Sequence, residues 1–328
     1  MTRILFATGA FVFALLVVEG ALRLIDYHYS PVKIGAGVAG DFREEHAFRD
    51  RNLVYDPTLI WRPLSGQFSP FNPQGFRGLP ILTPKPAGTF RIIALGDSNT
   101  FGWDVDDGAN WPAQLQTLFD QEAGPRVEVV NAGVWGYTSF QGLARFKELL
   151  TFEPDMVLVS FGGNDAHQVQ APDVDYVRGH DRIERITRAS RNLRVAQLAV
   201  AGWDLVGTAA ASSRAMVPRV SLDDYRSHLS EMIALGRARG TIVVLLTRPF
   251  IGVSDDPKSW KTYAPQYNAA TVEVGAAEKV PVIDVFGAFH DRETLFDDES
   301  HFGVEGHRQG AHFLADALRP LLPSRPSA

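Results

Sequence analysis

A serine that follows a predicted strand is the residue from which the chemistry of this chain can be argued. Residues 90–102 begin with a short apolar run typical of a buried strand and continue into a polar turn of helix-capping residues. Gly96 lets the backbone bend there, and Ser98 would then lie at the carboxyl end of the strand with its hydroxyl directed out of the sheet. Such a hydroxyl is a candidate nucleophile, although the same residue types also serve as ordinary helix caps.

Further groups able to do chemistry follow later predicted strands. Gly136 can offer an unobstructed backbone N–H to an anion, and Asn164 can offer a side-chain amide. Asp298 and His301 are three residues apart, so the carboxylate can accept from one imidazole nitrogen while the other faces Ser98. Each residue alone has a structural explanation as a turn, a cap or a solvated side chain. Together they supply a nucleophile, a base, an orienting acid and oxyanion donors.

The elements that must position these groups begin at residue 90, where apolar runs alternate with longer amphipathic segments. This alternation predicts right-handed crossovers and a parallel sheet covered on both faces, with ligands bound beyond the carboxyl ends of the strands. The predicted strands are 91–95, 127–131, 156–161, 242–247 and 280–285. The predicted helices are 111–119, 140–150, 223–239, 263–277 and 304–318.

The composition narrows the possible functions. Hydrophobic residues make up 45% of the 328 residues and charged residues 21%, which is typical of a globular protein with a substantial core. A net charge of −6 gives no reason to expect a nucleic-acid partner. The chain has no cysteine, which excludes disulfides, a cysteine nucleophile and thiolate metal sites. The acidic residues 297–299 beside His301 match no metal-ligand spacing, so we expect no metal.

An apolar run covers residues 4–25 and has the length of a membrane-spanning helix, about 20 residues. Arg3 and the amino terminus form a weak positive flank, which predicts a cytoplasmic N-terminus and a periplasmic or extracellular remainder. A cleaved signal peptide is the alternative, but residues 18–20 match a cleavage site poorly. We therefore interpret residues 1–27 as an uncleaved anchor, in contact with the membrane through residues 4–25.

The site residues occur in blocks that resemble those of the SGNH hydrolases, also called the GDSL esterase and lipase family. The blocks, in chain order, are Gly96-Asp97-Ser98, the segment ending at Gly136, Gly163-Asn164-Asp165 and Asp298-x-x-His301. Asn99 stands where the family name has leucine, and Phe302 where proline is common; neither position supplies a reacting group. The resemblance covers roughly residues 90–318.

The resemblance implies an α/β fold of three layers, α/β/α, with a flavodoxin-like, parallel five-stranded sheet. It implies that Ser98 is the nucleophile, His301 the general base and acid, and Asp298 its orienting partner. The oxyanion hole would be formed by the N–H groups of Ser98 and Gly136 and the amide of Asn164.

The activity that the resemblance implies is that of a serine esterase, without metal or organic cofactor. Its substrates would be esters of acetyl or other acyl groups on carbohydrate or lipid, hydrolysed through an acyl-enzyme. Two alternatives stay open: an O-acyltransferase on cell-envelope polysaccharide, and a non-catalytic flavodoxin-like module that binds phosphate at the helix start 98–100.

We divide the chain accordingly into four parts. The anchor (1–27) is followed by an extended, proline-rich lead-in (28–89), in which seven of the twenty prolines fall between residues 57 and 86. The hydrolase domain (90–320) carries an insertion (165–220), and residues 321–328 form a tail. The insertion holds arginines at mostly three-residue spacing, which we interpret as a solvated helix leading into a packed one; a lid or a membrane-surface contact is the alternative. These arginines are Arg178, Arg182, Arg185, Arg188, Arg191 and Arg194.

Overall fold

The computed structural model describes residues 2–27, 52–56, 58–67, 69–122, 125–175, 177–178, 193–199, 201–202 and 215–323. Most of the first half of the lead-in, most of the arginine-rich part of the insertion and nearly all of the tail therefore lie outside the described residues.

The secondary structure of the described residues follows the predicted alternation. The strands are β1 (Leu53–Asp56), β2 (Ile60–Pro63), β3 (Thr89–Gly96), β4 (Arg126–Asn131), β5 (Met156–Ser160), β6 (Gln168–Val169), β7 (Val217–Pro218), β8 (Ile242–Leu246) and β9 (Val282–Ile283). The α-helices are α1 (Thr2–Leu24), α2 (Ser98–Phe101), α3 (Trp111–Gln121), α4 (Ser139–Leu149), α5 (Leu222–Ala238), α6 (Ala264–Glu278), α7 (Val285–Phe289) and α8 (Val304–Leu318). Short 3₁₀ turns cover Leu150–Phe152, Trp260–Thr262, Glu293–Leu295 and Arg319–Leu321.

The central sheet has five strands in the order β4-β3-β5-β8-β9, and all its pairs are parallel. Counted along the chain this is the order 2-1-3-4-5 of flavodoxin-like sheets, as predicted. The fifth strand is shorter than the predicted 280–285 and spans only Val282–Ile283. It ends early because the Asp284 carboxylate caps α7, which begins at Val285.

Alternate residues of each strand face opposite helical layers. In β3, Ile93 and Leu95 pack into a core shared with α4, α5 and α6. The intervening Ile92 and Ala94 face a second core shared with α3 and α8. This alternation, which follows from the two-residue period of a strand, produces the predicted α/β/α layers. Because all five strands run parallel, their carboxyl ends lie at one edge of the sheet.

The lead-in contributes a β-hairpin and core residues. β1 and β2 pair antiparallel, and the Asp56 carboxylate accepts from the N–H groups of Thr58 and Leu59, both at 2.8 Å, in the turn between them. Leu59 and Trp61 are buried against the core on the α4 side of the sheet. Further along, Arg77 N donates to Asn131 O of edge strand β4 at 2.9 Å. The segment therefore belongs to the packed interior as well as covering it.

α1 carries no charged residue between Ile4 and Val18. Its segment Phe6–Leu24 has a mean hydropathy of 1.7 with 11% of it buried, so its length and composition suffice to cross a membrane. The described ends of the insertion meet in a short antiparallel pair, β6 with β7.

We expect the Trp61→Ala variant to lose about 3 to 5 kcal/mol of unfolding free energy, because it removes a large buried ring from the core. Chemical denaturation followed by circular dichroism would measure this loss. Leu79→Ala is the matched control, since this lead-in side chain is 88% exposed and its removal should change stability by less than about 0.5 kcal/mol. Equal, small effects of both substitutions would contradict the integration of the hairpin into the core.

Candidate active site

The turn after β3 places Ser98 at the start of helix α2. The Asp97 side chain caps this helix by accepting from Asn99 N at 2.9 Å. Gly96 is required at the bend, because a Cβ there would lie 2.7 Å from the carbonyl oxygen of Ser160 on the neighbouring strand. The close approach of β3 and β5 thus holds the serine at the sheet edge.

The structure brings together the three side chains that the sequence predicts to form a triad. Ser98 Oγ lies 2.7 Å from His301 Nε2, and His301 Nδ1 lies 2.7 Å from Asp298 Oδ2. The other Asp298 oxygen accepts from the backbone N–H groups of Ser300 at 2.6 Å and His301 at 2.7 Å. Partial burial pushes the pKa of Asp298 upward, but these hydrogen bonds and the His301 charge outweigh it and lower the pKa to about 2. Asp298 is therefore ionised at neutral pH.

The three predicted oxyanion donors lie on loops that contact one another. Gly136 has a φ of +77°, and Asn164 Nδ2 donates to the carbonyl of the adjacent Tyr137 at 3.0 Å, which fixes the amide plane. Among the described residues, neither Ser98 N–H nor Gly136 N–H has an acceptor. The two N–H groups are thus free to bind an anion, and the Asn164 amide keeps a second N–H for the same purpose.

Asp165, next to Asn164, joins the loop after β5 to the loop after β4. Its Oδ1 accepts from Ser139 N at 2.9 Å and Ser139 Oγ at 2.5 Å, and its Oδ2 accepts from Gly162 N at 3.1 Å. Burial raises the pKa of Asp165 to about 6 despite these donors. The carboxylate fixes the spacing between the segments that carry Gly136 and Asn164.

Two residues that sequence reasoning did not assign to the site hold the histidine loop against the serine turn. Arg248 Nε donates to Asp97 Oδ2 at 3.0 Å, and Arg248 Nη1 donates to the Ser300 carbonyl at 2.5 Å. Asn99 Nδ2 donates to the same carbonyl at 3.0 Å. The position of Arg248 directly after a predicted strand was the available signal, since ligand-binding residues collect at strand ends.

No group of three or more potential metal ligands occurs in the part of the chain that the structure describes.

We expect the Arg248→Met variant to lose about 3 to 5 kcal/mol of unfolding free energy, because it leaves the Asp97 carboxylate buried without its partner. Urea denaturation of both proteins would measure the difference. Arg226→Met is the matched control: its ion pair with Glu273 is exposed, so the loss should stay below about 1 kcal/mol. A loss for Arg248→Met no larger than the control's would show that the buried pair does not hold these loops.

Two bacterial relatives share sequence with this chain. It is 41% identical over 91 residues to the thioesterase 1/protease 1/lysophospholipase L1 of Escherichia coli K12, covering 27% of this chain and 42% of that protein. It is 32% identical over 111 residues to an arylesterase of Vibrio mimicus, covering 34% of this chain and 55% of that protein. The chain thus spans about half the length of these relatives.

The fold is similar to that of the lipase/acylhydrolase from Enterococcus faecalis. Its crystal structure superposes with a TM-score of 0.51 at 22% sequence identity and covers 73% of this chain and 100% of that chain. Residues 94–309, more than half of the chain and including all the site residues predicted above, match the family model. The chain therefore belongs to the GDSL-like lipase/acylhydrolase family.

Proposed function

We propose that this protein is a serine esterase that hydrolyses carboxylic esters through an acyl-enzyme on Ser98. The observation that carries the proposal is the 2.7 Å contact between Ser98 Oγ and His301 Nε2. A hydroxyl is a weak nucleophile unless a base within hydrogen-bonding distance removes its proton. His301 is placed for that role.

The orientation of the imidazole favours proton transfer in the required direction. With the His301 Nδ1 proton donated to the Asp298 carboxylate, Nε2 is left as the acceptor for the Ser98 proton. Asp298 is ionised above about pH 2 and stabilises the imidazolium that forms when Ser98 attacks an acyl carbonyl. His301 then returns the proton to the leaving alcohol, and water or another acceptor takes the acyl group from Ser98.

Negative charge develops on the carbonyl oxygen during attack. The N–H groups of Ser98 and Gly136 and the Asn164 amide are the donors that we assign to this oxygen. Each donor aimed at such an oxygen contributes about 3 kcal/mol to stabilising the transition state.

The phosphate-binding alternative has less support from the geometry of α2. Asn99 N–H and Phe101 N–H both donate to Asp97, to its side chain and its carbonyl, so they are not available to a phosphate.

We propose an ester-bearing carbohydrate or lipid as substrate. Trp103 lies beside the triad, with its ring 6.3 Å from that of His301, and can stack on a sugar or line an acyl chain. The names of the relatives include thioesterase, lysophospholipase and arylesterase, which supports acyl esters as the substrate class.

We further propose that residues 1–27 anchor the protein in a membrane, with the domain 90–320 on the periplasmic or extracellular side. The apolar surface of α1 supports the anchor: Phe6, Phe11 and Phe13 are all exposed side chains. A helix with such a surface needs lipid around it.

Hydrolysis of p-nitrophenyl esters of short and long acyl chains by the full chain in detergent micelles tests the esterase. We expect Ser98→Ala to lower kcat/KM by about a thousandfold or more, because the nucleophile is lost. Ser227→Ala, at an exposed helical serine, is the control and should keep full activity. If the wild type hydrolyses no ester but acylates an offered polysaccharide only when Ser98 is present, the acyltransferase replaces the esterase. Activity that survives in Ser98→Ala would overturn the serine mechanism.

A further inference from the structure

The described part of the insertion beyond residue 192 contacts the end of α1. Val195 N donates to Glu19 Oε2 at 2.9 Å, so the Glu19 carboxylate accepts an N–H at the start of the helical residues 194–199. Arg23 Nε donates to the other Glu19 oxygen at 2.7 Å. Glu19 is only 8% exposed as a result. The apolar helix and the insertion are therefore joined by a buried polar contact.

The position of Glu19 along α1 sets the depth of this contact in the bilayer. The apolar segment ends at Leu24, five residues after Glu19, which corresponds to roughly 7 Å at the rise of an α-helix. The 19 residues from Phe6 to Leu24 span roughly 28 Å, close to the thickness of the hydrocarbon core, so this distance places Glu19 in the outermost part of that core, where it meets the headgroup layer. The residues of the insertion that contact Glu19 lie at the same depth in the bilayer.

The side chains around the contact suit that layer. Leu193 and Leu198 of the insertion are 47% and 42% exposed, and Leu24 and Ile25, which follow Glu19 in the chain, are also exposed. Arg194 lies 3.9 Å from Asp26, so cationic and apolar groups alternate at this end of α1. Apolar side chains with arginines at their margin are typical of segments that lie in a membrane interface.

We propose that residues 193–199 lie at the boundary between the headgroups and the acyl chains of the bilayer, beside the outer end of α1. They would hold the catalytic domain at a fixed height instead of leaving it tethered by the lead-in alone. This inference rests on the membrane anchoring proposed above and extends it from the anchor to the insertion.

Site-directed spin labelling tests this directly, because the chain has no native cysteine. Single substitutions Phe13→Cys, Leu198→Cys and Val304→Cys are labelled in the full chain in vesicles of phosphatidylcholine and phosphatidylglycerol. All three side chains are exposed, and Val304 lies at the start of α8 as the aqueous control. We expect collisions with oxygen to exceed those with a water-soluble nickel chelate at positions 13 and 198, and the reverse at 304.

The outcomes separate the two proposals. A label at 198 that behaves like the one at 304, while the label at 13 is in lipid, would overturn the interfacial placement and leave the anchor intact. A label at 13 in water would overturn the anchor. Glu19→Ala in the Leu198→Cys background should move the label at 198 into water, since it removes the buried contact, while the label at 13 stays in lipid because α1 becomes more apolar.

Arg219, near the end of the insertion, makes an independent contact with the loop after β4 that carries Gly136, which we call the oxyanion loop. Its Nη1 donates to the Gly136 carbonyl at 2.8 Å, and its Nε and Nη2 donate to the two oxygens of Asp173, both at 3.0 Å. Both side chains of this pair are 8% exposed. A bidentate buried pair holds the guanidinium in one orientation, and hence holds the carbonyl that it contacts.

Gly136 is confined from a second direction by the lead-in. A Cβ at Gly136 would lie 3.1 Å from Cζ2 of Trp61, and the Arg219 guanidinium lies 5.7 Å from the centroid of the Trp61 ring. The hairpin and the insertion thus contact Gly136, whose backbone is left-handed, from two sides. We infer that Arg219 is a positioning residue: by holding the Gly136 carbonyl it limits backbone rotation at Gly136 and so fixes the direction of the Gly136 N–H, which we assign to the oxyanion.

The test is the rate at which an aryl phosphonate ester labels Ser98. The Ser98 Oγ–P bond forms, the P–O bond to p-nitrophenolate breaks, and the Ser98 proton passes to His301, so the released p-nitrophenolate reports a step that needs the oxyanion donors. We expect Arg219→Met to slow labelling by about tenfold or more, since it frees the donor loop. Arg91→Met is the matched control, because it removes an equally buried arginine that pairs with Glu128 at the amino end of β3, away from the site.

We expect Arg91→Met to lose unfolding free energy comparably but to label at close to the wild-type rate. If both variants label more slowly in proportion to their loss of stability, Arg219 has only a structural role. If Arg219→Met labels as fast as the wild type, the positioning role is wrong. Absence of labelling in the wild type would overturn the Ser98 mechanism itself.

Discussion

The buried ion pair between Asp97 and Arg248 is the interaction on which the geometry of the site depends. Asp97 caps the helix that starts at Ser98 and pairs with Arg248. Arg248 also donates to the carbonyl of Ser300, the residue before His301. The serine and the histidine are 203 residues apart in the chain, and they come within 2.7 Å because both loops are tied to one guanidinium. A charge pair withdrawn from water is stable only when its remaining hydrogen bonds are made, and here they are made to the site loops.

The carboxyl edge of the sheet supplies the second constraint. Parallel strands bring their ends together, so loops that are distant in the chain contact one another there. Asp165 then fixes the loop that carries Asn164 against the loop that carries Gly136. In our proposal, the oxyanion donors are positioned by hydrogen bonds that exist before any substrate binds, which is the arrangement that lowers the cost of stabilising a developing charge.

Segments outside the family blocks take part in this positioning. Trp61 of the lead-in lies against Gly136, and Arg219 of the insertion donates to the Gly136 carbonyl. The same insertion meets the apolar helix at Glu19. In our proposals, the insertion therefore connects a contact with the membrane to the oxyanion loop, which gives a physical reason for its place after the third strand of the sheet.

The sequence by itself determined the alternation of strands and helices and the residues able to do the chemistry. Local periodicity shows which segments bury one face, and a serine, an Asp-x-x-His pair, a glycine and an asparagine at strand ends are recognisable by type and spacing. Only the tertiary structure decided which polar side chains support them. The place of Arg248 after a strand marks it as a candidate, but nothing local shows what Arg248 or Arg219 contacts in the site, because those partners lie more than 40 residues away in the chain. The hairpin of the lead-in was likewise not predicted, since its strands are only four residues long and their burial depends on the sheet that they pack against.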